Sequence, residues 1–162
     1  MKRLGKSSKK GFTLVELIVV LVILAVLAAM LVPALTGYIK KAKEEKEFQT
    51  ASTIYTAVQA LSTEAYGKGK TTKTDVEAIV TKDKILELAG VDAAKVNSIT
   101  YFRQEATATK VGVIEAISIE FTANTGVYYN YVAGDGTWVT SSSVVSLPSG
   151  VTAVKYEIKA ST

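Results

Sequence analysis

Gly11-Phe12-Thr13-Leu14-Val15-Glu16-Leu17 opens an apolar run that continues to Leu35, and the reading of that run decides the fold. From Phe12 to Leu35 there are 24 residues and a single charge, Glu16. As an α-helix rising 1.5 Å per residue the run reaches about 36 Å, enough to cross the roughly 30 Å hydrocarbon core of a bilayer. Glu16 lies about one helical turn inside the apolar edge, close to the headgroups and away from the costly midplane, and the positive end of the helix dipole favours a carboxylate there. Pro33 has no N–H and its ring clashes with the carbonyl four residues back, which predicts a kink near Ala29 and not a stop.

Upstream of the run, Lys2, Arg3, Lys6, Lys9 and Lys10 form a short basic segment with no apolar periodicity. The positive-inside rule holds it in the cytoplasm and puts residues beyond Leu35 outside. An ordinary secretory signal carries its small-residue cleavage site after the apolar core. Ala28-Ala29-Met30 and Pro33-Ala34-Leu35 offer such sites, but the run is too long for that class of signal.

Downstream, the pattern turns amphipathic. Leu35, Tyr38, Ile39, Ala42, Phe48, Ala51, Ile54, Tyr55, Val58, Leu61 and Ala65 recur at intervals of three and four, with Lys40, Lys41, Lys43, Glu44, Glu45, Lys46 and Glu47 largely between them. One helix from Phe12 to about Ala65, roughly 80 Å long, is predicted. The charge run reads first as a solvated helix face with internal ion pairs. Gly67-Lys68-Gly69-Lys70 ends the helix. Thr74-Asp75-Val76-Glu77 reads as the capping box of a short helix that continues in pieces through Leu88 and stops at Gly90.

After Asn97 the period becomes two. Strands are predicted at Ser98–Glu105, Lys110–Phe121, Val127–Val132, Thr137–Thr140 and Val151–Lys159, with Val111, Val113, Ile117, Ile119 and Phe121 sharing the face that packs on the long helix. Asn124-Thr125-Gly126, Gly134-Asp135-Gly136 and Leu147-Pro148-Ser149-Gly150 supply turns. Leu147–Gly150 lacks the Thr of a sortase signal. The expected fold is α+β: a long amino-terminal helix under a carboxyl-terminal antiparallel sheet, with no disulfides. The expected divisions are residues 1–11, a basic leader; 12–35, the apolar helix; 36–66, its amphipathic continuation; and 67–162, a globular head.

Composition narrows function. There is no Cys and no His, which removes disulfides, thiol nucleophiles, imidazole bases and most zinc sites. No Gly-rich phosphate loop, metal-ligand spacing or nucleophile with an adjacent base is present, and Asp135 between glycines falls far short of a calcium loop. Neither a catalytic residue nor a cofactor or metal is expected. The net charge of +4 is concentrated in the basic segment: without residues 1–11, 14 basic side chains face 15 acidic ones. A chain near neutrality has no general pull toward nucleic acid. Tyr128, Tyr129, Tyr131 and Trp138 read chiefly as strand packing, with an exposed platform for carbohydrate as the alternative. Thr140–Ser143 reads as a flexible polar loop with weak potential for O-glycosylation.

Basic residues, Gly11, then Phe12-Thr13-Leu14-Val15-Glu16-Leu17 and a long apolar helix broken by Pro33 resemble the amino terminus of a type IV pilin precursor with the short basic leader of class a members. The match covers roughly residues 1–40. The resemblance implies cleavage after Gly11 by a prepilin peptidase, methylation of the new Phe12 amine, and assembly of the helix into a helical homopolymer with minor pilins and an assembly ATPase as partners. It gives Glu16 the role of counter-charge to the Phe12 amine of an incoming subunit and Pro33 that of a helix kink. Many members carry Gly where this chain has Ala25, so melting ahead of Pro33 is less expected here. Ala25, Ala28 and Ala29 form a notch that permits close helix approach. The charge run Lys40–Glu47 has pairing between subunits as its second reading. The missing cysteines depart from many Gram-negative members, which close their last loop with a disulfide, and fit Gram-positive ones better. The carboxyl-terminal region is then expected to hold by packing alone. The implied setting is a single-pass precursor in the cytoplasmic membrane and a surface filament after assembly, supporting adhesion or motility. Alternatives are a pseudopilin of a type II secretion or DNA-uptake system and a membrane-anchored binding module that never polymerises.

Overall fold

The computed structural model describes residues 11–104 and 111–159. The predicted leader residues 1–10, and the strand ends predicted at Glu105 and Lys110, lie outside them. Helix α1 runs Leu14–Gly67, followed by α2 (Lys73–Glu77), α3 (Lys82–Ala89), β1 (Val96–Arg103), β2 (Ile114–Phe121), β3 (Tyr128–Val132), β4 (Trp138–Ser141) and β5 (Val154–Lys159). The helical assignment passes through Pro33 unbroken. Two compact units share α1, one up to Glu44 and one from Glu45 onward.

In the first unit every residue from Gly11 to Glu44 is exposed. The aliphatic side chains of the run, from Leu14 through Leu35, are all among these, as are Tyr38 and Ile39. The amphipathic stripe predicted to begin at Leu35 therefore meets the head only later: Phe48 is the first partly buried member, and Ala51 the first buried one.

In the second unit the α1 residues Ala51, Ile54, Ala57, Val58, Leu61 and Ala65 form a buried stripe at helical spacing. Each large aliphatic side chain buried there contributes about 1.5–3 kcal/mol. The stripe packs on one face of a five-stranded antiparallel sheet of order β4-β3-β2-β1-β5. Cross-strand rows on that face read Tyr156, Tyr101, Ile117, Tyr131, Trp138 and Ile158, Ile99, Ile119, Tyr129, Thr140. Val76, Val80, Ile85 and Leu86 of the α2–α3 region join the same core.

The sheet corrects one prediction. A register shift between β1 and β2 pairs Phe102 with Ala116 but Arg103 with Ile114, so Glu115 is an extra residue. A bulge of this kind swaps the faces of everything beyond it. Ile114 thereby joins Ile117, Ile119 and Phe121 in the core, and Val111 and Val113 do not. The caps correct another. Helix α2 is capped by Thr72, whose Oγ1 accepts from the Asp75 N–H (3.3 Å) and donates to the Asp75 carboxylate (2.8 Å), two residues earlier than the expected Thr74 box. Helix α1 closes as expected near Gly67: Gly69, at φ +70, lets the Lys70 N–H reach the Ala65 carbonyl (2.9 Å) in a Schellman arrangement.

The β1–β2 connection is tied to α1 by a buried polar node. Ser62 Oγ donates to the Gly112 carbonyl (2.6 Å) and accepts from Arg103 Nε (2.7 Å). Gln59 Nε2 also donates to that carbonyl (3.2 Å), and Gln59 Oε1 accepts the Ile114 N–H (2.9 Å). Gly112 is required here: its φ is +81, and a Cβ would sit 3.3 Å from Tyr66 Cβ.

Strands β4 and β5 occupy opposite edges, so residues 142–153 must cross the sheet's outer face. That strap is pinned by polar groups. The Val145 N–H donates to Ser118 Oγ (2.8 Å), and Asn130 Nδ2 donates to the Ser143 carbonyl (3.0 Å) and Ser141 Oγ (2.9 Å). The expected flexible loop at Thr140–Ser143 is thus partly strand and partly a bonded turn. The last strand starts at Val154, three residues later than predicted, and is held by a ladder to β1 running from Ser98–Lys159 to Arg103–Val154.

Candidate functional site

The first turn of α1 shows why the helix starts where it does. Glu16 Oε2 accepts the Thr13 N–H (2.9 Å) and the Thr13 hydroxyl (2.7 Å), while Thr13 Oγ1 accepts the Glu16 N–H (3.3 Å). This reciprocal arrangement is a capping box, Thr13-Leu14-Val15-Glu16, that satisfies donors the helix itself cannot. The lone carboxylate of the apolar run is therefore positioned by its own chain, at the rim of the helix, with its side chain exposed. Thr13 was not among the residues singled out from the sequence, although the Thr-x-x-Glu spacing was readable there.

Gly11 and Phe12 precede the helix. Phe12 is 90% exposed. Nothing in the fold demands glycine at residue 11: a Cβ there meets no atom within 4 Å, and its φ is not in the left-handed region. Phe12, Glu16, Leu17, Val20 and Leu21 line a shallow, almost wholly apolar concavity on the first turns. Beyond it, an uninterrupted exposed apolar surface extends along the helix, far larger than the few hundred Å² that soluble monomers leave uncovered. The helix is long and apolar enough to cross a membrane. Pro33 lies within this surface; Thr36 Oγ1 returns a bond to the Val32 carbonyl (2.9 Å) just after it.

The charge run is the expected solvated face from Lys40 to Lys46, without the expected internal pairs. Lys40, Lys41, Lys43, Glu44, Glu45 and Lys46 are all exposed, and none makes an ion pair among the described residues. Glu47 alone is engaged, accepting from Asn124 Nδ2 (2.7 Å) and from the Tyr129 hydroxyl.

In the head, strand alternation divides the aromatic group. Tyr129 packs edge-on against Phe48 and Phe121, and Tyr131 packs against Tyr55 and Trp138. These three are core and rim of the helix–sheet interface. Burial beneath the sheet raises the Tyr55 hydroxyl pKa above its ordinary value. Tyr128 points to the opposite face, where with Asn97, Ser98, Thr100, Glu120, Val144, Glu157 and Lys159 it lines a cleft of ≈ 450 Å³. Glu120 is 6% exposed. Its carboxylate accepts the Gly126 N–H (2.8 Å), Asn97 Nδ2 (2.5 Å) and Ser98 Oγ (3.2 Å), and the Gly126 N–H foremost holds it below the usual carboxylate range. Among the described residues no group of three or more carboxylates converges as metal ligands would.

Comparison with known proteins bears on the helix end. Residues 6–32 match the family model described as the prokaryotic N-terminal methylation motif. No curated protein and no solved structure matches the chain. The motif spans Gly11, Phe12, Thr13 and Glu16. Together with a long apolar helix that continues under an antiparallel sheet, it supports a type IV pilin-like precursor, of pilin or pseudopilin type, anchored in a membrane by its first helix.

Proposed function

We propose that the chain is a structural, non-catalytic subunit of a type IV pilus filament, and that the filament serves surface adhesion or motility. A prepilin peptidase cuts after Gly11, the Phe12 amine is methylated, and residues 12–35 exchange lipid for the flanks of identical helices, aided by minor pilins and an assembly ATPase. The observation that carries this reading is the methylation motif at residues 6–32 together with the apolar run from Leu14 to Leu35, whose side chains are all exposed. Gly11 fits the cut because its lack of a side chain is unused by the fold, leaving close approach of a peptidase as its purpose. Pro33 bends the helix within the packed filament.

In this reading Glu16 has two duties. It caps its own helix through Thr13, and it offers its remaining charge to the ammonium of a neighbour's Phe12. In an apolar filament core an unmet charge is costly and a met one depends steeply on position, so the pair sets axial register. Glu16→Gln separates the duties: glutamine completes a capping box but carries no charge. The variant is expected to insert in the membrane normally and to give few or no sheared surface filaments by electron microscopy. Normal piliation in Glu16→Gln alongside loss in Glu16→Ala would reduce Glu16 to a cap and overturn the counter-charge role.

A further inference from the structure

The charge run carries a register of its own. Slide one copy of α1 along another and ask which offsets bring Lys40, Lys41, Lys43 and Lys46 against Glu44, Glu45 and Glu47. In register, like faces like throughout. Offsets of one, two, three, five or six residues all place at least one lysine on a lysine or glutamate on a glutamate. An offset of four opposes Lys40 to Glu44, Lys41 to Glu45 and Lys43 to Glu47, with no like pair. It is also the offset that brings the Phe12 amine of one copy level with Glu16 of the next, an axial shift of about 6 Å.

Two further observations agree. On a single helix, Lys placed four residues before Glu is the poorer order for self-pairing, and here these side chains do not pair with one another. In sequence, Glu45 follows Glu16 by 29 residues, close to eight turns at 3.6 residues each, so the two carboxylates fall at nearly the same phase of the helical repeat. The third pair is spoken for on one side, since Glu47 is engaged by Asn124 and Tyr129 of its own head.

We infer that a second copy of this chain docks on the charge run with a four-residue stagger, Lys41 to the neighbour's Glu45 and Lys40 to its Glu44, in the register set by Phe12 and Glu16. The inference rests on the polymerisation proposed above. Its partner is fixed by charge complementarity: an anionic lipid surface or other polyanion would leave Glu44 and Glu45 opposed to like charge, whereas a staggered copy satisfies both signs.

The absence of cysteine makes the test direct. Chains bearing Lys41→Cys and Glu45→Cys are co-expressed, filaments are sheared off and mildly oxidised, and dimers are resolved without reductant. The mixed 41–45 dimer is expected to exceed either like-with-like dimer. In parallel, Lys41→Glu and Glu45→Lys each lower filament yield about tenfold, since like charges brought together at an interface are strongly disfavoured, and the double exchange restores it. If the unsubstituted chain never appears in the sheared fraction, polymerisation itself is wrong. If it does appear, but like dimers equal the mixed one or the double exchange is no better than the singles, the stagger alone is overturned.

Discussion

Ser62→Ala probes how the head is fastened to its helix. Ser62 is fully buried, and its hydroxyl is the joint between Arg103 on β1 and the Gly112 carbonyl in the turn before β2. The two bonds are not lost equally. The Gly112 carbonyl keeps a donor in Gln59 Nε2 at 3.2 Å, so little is forfeited there. Arg103 Nε loses an acceptor at 2.7 Å inside the core, and bonds to charged groups of this kind contribute about 1.5–3 kcal/mol. With a urea slope of about 2 kcal/mol per molar, the unfolding midpoint falls by about 0.8–1.5 M at unchanged slope. The assay is urea titration of the intact chain in detergent micelles, followed through the fluorescence of Trp138, the single tryptophan, which packs on Tyr131 at 5.2 Å. Thr56→Ala is the control: that exposed hydroxyl returns a bond to the Ser52 carbonyl (3.0 Å), and its loss is expected within about 0.5 kcal/mol of neutral. If the two variants unfold at the same midpoint, the node does not fasten the head.

Gly112→Ala adds a Cβ 3.3 Å from Tyr66 at φ +81 and is expected to cost about 1–3 kcal/mol by thermal melt, whereas Gly134→Ala, with open space around it, is close to neutral; equal effects would contradict the close approach. Glu120 has a folded pKa depressed below its unfolded value of about 4.3. Its stabilisation is full above that pH and is lost as pH falls through the folded value. Glu120→Gln should therefore lose less stability between pH 7 and pH 3 than the parent. A residual slope remains from Glu64, held low by Lys68, and from Asp75, held low by Thr72 and Lys70; an identical pH dependence in parent and variant would refute the assignment. Ser118→Ala removes the acceptor of the Val145 N–H and should raise amide exchange at Val145 while leaving β2 protected; unchanged exchange would mean that the strap is held elsewhere.

Much of this was legible because it is periodic. The Phe12–Leu35 run, the stripe at Ala51, Ile54, Val58, Leu61 and Ala65, and the alternation in β2, β3 and β5 each repeat with the spacing of their element. What escaped were events at a single residue. The extra residue at Glu115 exchanged Ile114 for Val111 and Val113 in the core, and no pattern of period two announces a bulge. Thr72 took the α2 cap from Thr74 because two threonines two residues apart carry similar signals, and only the Asp75 side chain decides between them. At the site, Gly11, Phe12, Glu16 and Pro33 stood out as exceptions to apolarity, but Thr13 did not, since a threonine near a helix start is ordinary until its bonds to Glu16 are seen. The crossing of the outer face by residues 142–153 follows from strand order, a long-range property that local sequence does not encode.

The most direct measurement is the mass of the amino-terminal peptide released from filaments sheared off the cell surface. A peptide that begins at Phe12 and carries one added methyl group, recovered from polymeric material, is the expected result. A peptide that retains residues 1–11, or a chain found only as a monomer in the membrane fraction, would contradict it.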